Sequence, residues 1–240
     1  MMQRLRALLF YIFGFSAAIL YSIVALLLFW APHAFLYRLV RSISSLLVRA
    51  GDFFCGMKVE FEGKENIPDE PCVIMIKHTT TPEVYAYLPL FPRTCWVIKR
   101  EIYWIPVIGW AIGLLFRPIA IWRGTKARAV RQVIQQGKQR LADGFLVTIF
   151  PEGTRVPPGE TRPYGVSGAA LAQEAGVPIV PIAHNAGDFW RRREFAKRPG
   201  TMRFVIGPPI SAQGRSPRET NKVVQEWIEG RMREISAYYR

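Results

Sequence analysis

Two short stretches of this 240-residue chain hold the residue types that acid–base chemistry needs. In Lys77-His78-Thr79-Thr80-Thr81-Pro82-Glu83 an imidazole and a carboxylate stand five positions apart, directly after the apolar run Cys72–Ile76. Five residues along one helix turn through ~140°, so the pair would not share a helical face. With His78 at a strand end, the following turn can fold Glu83 back toward it. A carboxylate bonded to one ring nitrogen fixes the tautomer and leaves the other as a general base, an effect of about 10²–10⁴ in rate. Thr81-Pro82-Glu83 also reads as a helix start, with Thr81 as cap and a carboxylate against the helix dipole. By itself this spacing is equally that of a strand-end histidine beside an unrelated capping glutamate.

The second stretch is Phe150-Pro151-Glu152-Gly153-Thr154-Arg155, at the end of the apolar run Phe145–Phe150. Ligands of open α/β sheets bind at strand carboxyl ends. Gly153 permits a backbone conformation or a close approach that larger residues resist. Arg155 offers a fork of donors matched to a phosphate. The three cysteines, Cys55, Cys72 and Cys95, form no CxxC pair and predict neither a disulfide framework nor a zinc site. An acyl-cysteine intermediate is the competing chemistry, although Cys72 and Cys95 fall in apolar runs where an inert thiol is expected. His184 reads as a strand-end structural histidine.

The elements that must position these residues alternate. β-rich runs recur at Lys58–Phe61, Cys72–Ile76, Thr94–Ile98, Ile119–Trp122, Phe145–Phe150, Ile179–Ala183 and Met202–Ile206. Helical stretches lie between most of them, at Pro82–Leu90, Trp104–Leu115, Lys126–Ala142, Gly165–Ala175 and Pro217–Tyr239. The pattern predicts an α/β fold: a single mixed, mostly parallel sheet of about seven strands covered by helices, over residues 51–240. Val156–Gly168, rich in proline and glycine, reads as a loop beside a site.

Residues 1–50 read as a two-helix membrane segment. Ala7–Ala31 carries no charge and would be about 38 Å long as a helix, against a bilayer core of about 30 Å. It is too long for a signal-peptide apolar region. After Pro32, Phe35, Leu36, Leu39, Val40, Ile43, Leu46 and Leu47 recur at helical spacing opposite Arg38, Arg41 and Arg49, as in an interfacial helix. Arginines flank both ends of the apolar run, so the positive-inside rule keeps both ends cytoplasmic. A dipping two-helix anchor satisfies this; a single straight span is the simpler alternative.

Half the residues are apolar and 13% aromatic, which excludes a disordered chain. A net charge of +14 predicts an anionic partner: a phospholipid surface, a phosphorylated substrate or nucleic acid. Arg191-Arg192-Arg193, Lys197, Arg198 and Arg203 cluster near Phe189, Trp190 and Phe195. Such a patch suits anionic lipid, an acidic thioester carrier or a phosphate backbone. No nucleic-acid motif accompanies it, so non-catalytic binding of nucleic acid or anionic lipid is the remote alternative.

Four ordered blocks between Pro71 and Gly187 resemble the glycerolipid acyltransferase family, specifically its bacterial 1-acylglycerol-3-phosphate acyltransferases. They are His78 to Glu83; Lys99 through Tyr103-Trp104-Ile105-Pro106 and Gly109 to Arg123; Phe150 to Arg155; and Val177-Pro178-Ile179-Val180-Pro181-Ile182. Two positions depart from the pattern: the first-block acid is usually Asp, and the arginine of the second block usually follows an acid, where Trp122 stands here. The resemblance implies acyl transfer from acyl-CoA or acyl carrier protein to the free hydroxyl of lysophosphatidic acid, yielding phosphatidic acid. It implies no metal and no cofactor beyond the co-substrate, and a cytoplasmic face of the inner membrane. A phosphate-free lyso-lipid such as lyso-ornithine lipid is the alternative acceptor. His78 would then be the base and Glu83 its partner. Lys99, Arg123 and Arg155 would bind the acceptor phosphate, while Glu152 and Gly153 belong to the acceptor site. Backbone amides beside Thr79 or Gly153 are candidate oxyanion donors. Apolar Tyr103–Phe116, through Ile105, Gly109 and Gly113, reads as a wall of the acyl groove.

Overall fold

A computed structural model describes residues 1–122 and 125–239. Its strands are β1 (Met57–Glu62), β2 (Val73–Ile76), β3 (Thr94–Lys99), β4 (Ile119–Ile121), β5 (Leu146–Ile149), β6 (Ile179–His184) and β7 (Gly200–Ile206). The helices are α1 (Met2–Leu27), α2 (His33–Cys55), α3 (Pro82–Tyr85), α4 (Ile108–Phe116), α5 (Lys126–Ala142), α6 (Ser167–Ala175), α7 (Ala186–Phe189) and α8 (Pro217–Ile235). One sheet runs in the order β1-β7-β6-β2-β5-β3-β4, parallel throughout except between β6 and β7. The mixed, mostly parallel seven-stranded sheet inferred from the sequence is therefore the sheet observed.

Central strands are apolar on both faces because each face meets helices. Ile74, Ile76, Val180 and Ile182 enter a core with Phe10, Leu36 and Leu115, from α1, α2 and α4. Val73, Met75, Ile179 and Ala183 enter the opposite core with Val133, Leu171 and Ile228, from α5, α6 and α8. With β2, β3, β4, β5 and β6 all pointing one way, Ile76, Lys99, Ile121, Ile149 and His184 end at one edge of the sheet.

The last helix, α8, ends at Ile235 instead of Tyr239, α6 begins at Ser167 instead of Gly165, and two other helices are cut much shorter than their periodicity predicts. The apolar stretch Trp104–Leu115 splits into a 3-10 turn, Arg100–Trp104, and α4, because Pro106 interrupts it and Val107 takes a left-handed φ of 64°. The stretch Pro82–Leu90 keeps only one helical turn, α3, ahead of Pro89.

The amino-terminal helices form an antiparallel hairpin, with Tyr21 Oη 2.9 Å from Ser42 Oγ and the Phe13 and Phe54 rings 5.8 Å apart. Ala7, Phe10, Ala17, Ser22 and Ala25 form the buried stripe of α1, mostly small residues that allow a close approach. That stripe runs the length of the helix, so α1 lies along the α/β domain. Its outer face exposes Leu5, Leu8, Ile12, Ile19, Ile23 and Leu27, continued by Phe29 and Trp30 in the turn. The turn is held at the end of the domain away from α1's amino terminus, where His33 Nε2 lies 2.9 Å from the carbonyl oxygen of Leu115.

Candidate active site

The end of β2 sets His78 and Glu83 against each other. The chain leaves the sheet at Ile76, turns through Thr79 and Thr80, and enters α3 with Pro82 in its first turn. Glu83 folds back: its Oε1 bonds His78 Nδ1 and accepts the Thr79 N–H at 2.9 Å. Its Oε2 accepts the Thr80 N–H at 2.8 Å and the Thr79 hydroxyl at 3.1 Å. Thr81 occupies the cap position but makes no side-chain cap; the Glu83 carboxylate satisfies the amides of the turn. Burial alone would push the Glu83 carboxyl up. His184, which approaches from β6, and His78 outweigh it and hold the group at about 2. The His78 ring stacks on Phe150, 4.0 Å between centroids, and its Nε2 side is the one left for a substrate.

Phe150 to Arg155 leaves the neighbouring strand β5 and grips the His78 backbone from both sides. Val156 N–H donates to the His78 carbonyl at 2.8 Å, and His78 N–H lies 3.4 Å from Glu152 Oε1. Gly153 has φ 66°, and a Cβ added there would meet nothing within 4 Å. Of the two reasons that favour glycine, the left-handed turn is the one that applies.

Glu152 is not an open acceptor ligand. Its side chain is fully buried and pairs with Lys77 Nζ at 3.2 Å, which also binds Glu229 Oε1 at 2.6 Å. Burial pushes the Glu152 carboxyl up, and Lys77 brings it partly back. Lys77 therefore stitches the end of β2 to α8 and to the turn after β5. The signal for it was a lysine closing a four-residue apolar strand, where a buried cation demands a buried partner. The Thr79 and Thr80 amides are committed to Glu83, and the Gly153 amide donates to Phe150 O at 3.0 Å. The oxyanion donors proposed at Thr79 and Gly153 are thus already engaged.

Arg155 is half-buried and lines an open cleft of about 530 Å³ beside Thr80 and Thr81. Phe10, Phe15 and Leu47 of the hairpin form its apolar side with Tyr85, and Arg192 and Arg193 add charge. Sequence gave no signal for α1 as a wall of the site, because only tertiary packing brings it there. Lys99 ends β3 exposed at the same sheet edge but does not line this cleft. Arg123 lies outside the described residues.

The glycines assigned to an acyl groove pack instead against the 3-10 turn. A Cβ on Gly109 would sit 2.2 Å from Ile102 O, and one on Gly113 would be 3.1 Å from the Tyr103 ring. They are small so that α4 can close on that turn, and Ile105 beside them is exposed. Cys55, Cys72 and Cys95 are all buried, and burial pushes the thiols of Cys72 and Cys95 up to about 12. A neutral thiol is a poor nucleophile, so the acyl-cysteine route has no reactive thiolate at those strands. Part of the basic cluster is likewise spent internally: Arg203 binds Glu62 at 2.7 Å, and Lys197 is buried against the Trp190 ring.

A histidine–carboxylate pair at the carboxyl edge of a mixed α/β sheet, with an arginine and an apolar cleft opening at the same turn, suits an acyl-transferring class of enzyme. The family model described as Acyltransferase matches residues 58–185. The chain is 39% identical, over 98% of its length and 93% of the relative's, to the 1-acyl-sn-glycerol-3-phosphate acyltransferase of Pseudomonas aeruginosa. It is 29% identical to the human 1-acyl-sn-glycerol-3-phosphate acyltransferase alpha, over 69% of this chain and 59% of that one. Among solved structures, the 1-acyl-sn-glycerophosphate (LPA) acyltransferase PlsC of Thermotoga maritima shares the fold at a TM-score of 0.79 and 22% identity, covering 96% and 94% of the two chains. The chain belongs to the acyltransferase family.

Proposed function

We propose that this enzyme transfers a fatty acyl group from a thioester to the sn-2 hydroxyl of 1-acylglycerol-3-phosphate, giving phosphatidic acid. The observation that carries the reading is the Glu83-bound His78 on the turn whose Thr80 and Thr81 line a cleft that is cationic at Arg155 and apolar along α1. His78 itself does not line the cleft, and Val156, next to Arg155, bonds its carbonyl. A single-chain phospholipid has the same polarity: a phosphate head for Arg155, Arg192 and Arg193, and one acyl chain for the hairpin wall. Lys99, exposed at the end of β3, adds to the attraction for phosphate, and Arg123 is assigned to the same role from its sequence block alone.

With Nδ1 tied to Glu83, His78 Nε2 takes the proton of the acceptor hydroxyl as its oxygen attacks the thioester carbonyl. The C–O bond forms, the C–S bond breaks, and the imidazolium returns the proton to the departing thiolate. The products are an ester and a free thiol. Glu83 holds the ring and stabilises its charged form; Glu152 and Gly153 shape the turn that presents Arg155.

The hairpin supports a membrane setting for this chemistry. α1 is the one described helix long and apolar enough to cross a bilayer. Because it lies along the domain, a perpendicular span would drag the sheet into hydrocarbon; a hairpin half-sunk in the cytoplasmic leaflet keeps the domain in water.

Purified protein is assayed with lysophosphatidic acid and each donor, acyl-CoA and acyl carrier protein, and with a phosphate-free lyso-ornithine lipid as alternative acceptor. Transfer to lysophosphatidic acid, lost in His78→Ala and retained in Cys72→Ala and Cys95→Ala, is expected. Transfer to the phosphate-free acceptor alone overturns the assignment of substrate.

A further inference from the structure

Beneath the catalytic pair lies a second imidazole that no part of this reaction touches. His184 closes β6, the parallel neighbour of β2, and is fully buried against the Phe204 ring, 5.1 Å between centroids. Its Nδ1 faces the Ala186 N–H at 3.3 Å and accepts from it. That places the ring hydrogen on Nε2, which lies 2.7 Å from the Lys77 carbonyl oxygen and 3.1 Å from Glu83 Oε2. The two acceptors share one hydrogen. Nothing of His184 is exposed, so a second base is excluded at this position.

We propose that His184 is a positioning residue: through Glu83 it sets the tautomer and orientation of the catalytic His78. The three groups form a chain, His184 Nε2 to Glu83 Oε2 and Glu83 Oε1 to His78 Nδ1. A glutamate side chain has three torsions, and its carboxylate can rotate unless both oxygens are held. Thr79 and Thr80 hold it from the turn; His184 is the donor that reaches it from inside the sheet. By bonding Lys77 O as well, His184 locks the residue before His78 to the same frame. The ionisable groups around the ring are few: Glu83 faces it directly, His78 lies across Glu83, and the Lys77 ammonium points away to Glu152 and Glu229. Outer partners of this kind are worth about 10–100-fold in activity where they orient a working ligand or base.

The kinetic arm of the test rests on the proposed lysophospholipid acylation; the spectroscopic arm does not. The chain has three histidines, so full-length ¹⁵N-histidine protein gives three assignable imidazoles. Wild type is expected to hold neutral His78 as one tautomer, protonated at Nδ1. His184→Leu removes the donor and is expected to mix the His78 tautomers and lower kcat about 10–100-fold with the acceptor KM unchanged. His184→Gln carries an amide hydrogen to about the place of Nε2 and is expected to recover the single tautomer and most of kcat. His184→Asn stops short of Glu83 and should behave as the leucine variant, which keeps the comparison with glutamine available if leucine does not fold. Equal kcat in the glutamine and the shorter variants, or one unchanged His78 tautomer in all of them, overturns the proposal. Failure of wild type to acylate any lysophospholipid, with the tautomers still responding, condemns the substrate assignment and leaves the positioning role standing.

Discussion

At the scale of single residues the site is organised around one buried carboxylate. Glu83 has no exposed surface, yet it stays ionised because two backbone amides, a hydroxyl and two imidazoles all point at it. Its pKa falls from 4.5 to about 2 against the pull of burial, so its ionisation supports the fold above the unfolded value and loses that support as pH falls through the folded one. Denaturant unfolding of wild type and Glu83→Gln should therefore differ most above about pH 4.5 and converge as pH drops toward 2. A gap that stays constant over that window means the carboxylate carries no such linkage. Lys77 shows the opposite arrangement, one buried cation serving two carboxylates, and it explains why Glu152 belongs to the scaffold of the site.

At the scale of elements, strand ends do the assembling. β2 delivers His78, β5 delivers Arg155, and the β2–β6 pairing brings His184 under Glu83. The α4 segment has a different task, since its glycines close the helix onto the turn at Ile102 and Tyr103. Replacing Gly109 with Val forces a side chain into 2.2 Å of a backbone oxygen and should cost about 1–3 kcal/mol in thermal unfolding. The donor chain-length profile of the folded fraction should not change. A fully stable variant with a shortened preference restores the groove that the apolar sequence suggested.

For the whole molecule, the hairpin proposed as the membrane anchor also walls the cleft. Its outer face carries an apolar stripe far beyond what a water-exposed surface normally holds, while Phe10, Phe15 and Leu47 on its inner side line the cleft beside Thr80. On the proposed membrane placement, one helix separates lipid from the cleft. Gly14 lies in the cleft lining, and a Cβ there would touch only Leu47, at 3.5 Å. Gly14→Trp should fill the cleft and raise the acceptor KM at least about tenfold, with the His78 imidazole signals unmoved. Unaltered saturation kinetics in that variant places the acceptor chain elsewhere.

Much of this was legible in local pattern. The central strands β2, β5 and β6 are buried on both faces and read as continuous apolar runs, while β1 and β7 alternate, and all seven could be placed along the chain to within a residue or two. The contact of His78 with Glu83 was possible on local spacing but singled out only by the resemblance of the four ordered blocks, and Phe150 to Arg155 stood out because it abuts a strand. Sequence could not say what faces these elements across space. That Glu152 turns inward to Lys77, that Gly109 and Gly113 serve packing, that α1 walls the cleft and that His184 backs Glu83 all depend on contacts between residues far apart in the chain. Apolar character and charge set which residues go inside, whereas which partner each one meets there is fixed by strand order and helix docking, and those are decided only when the whole core closes.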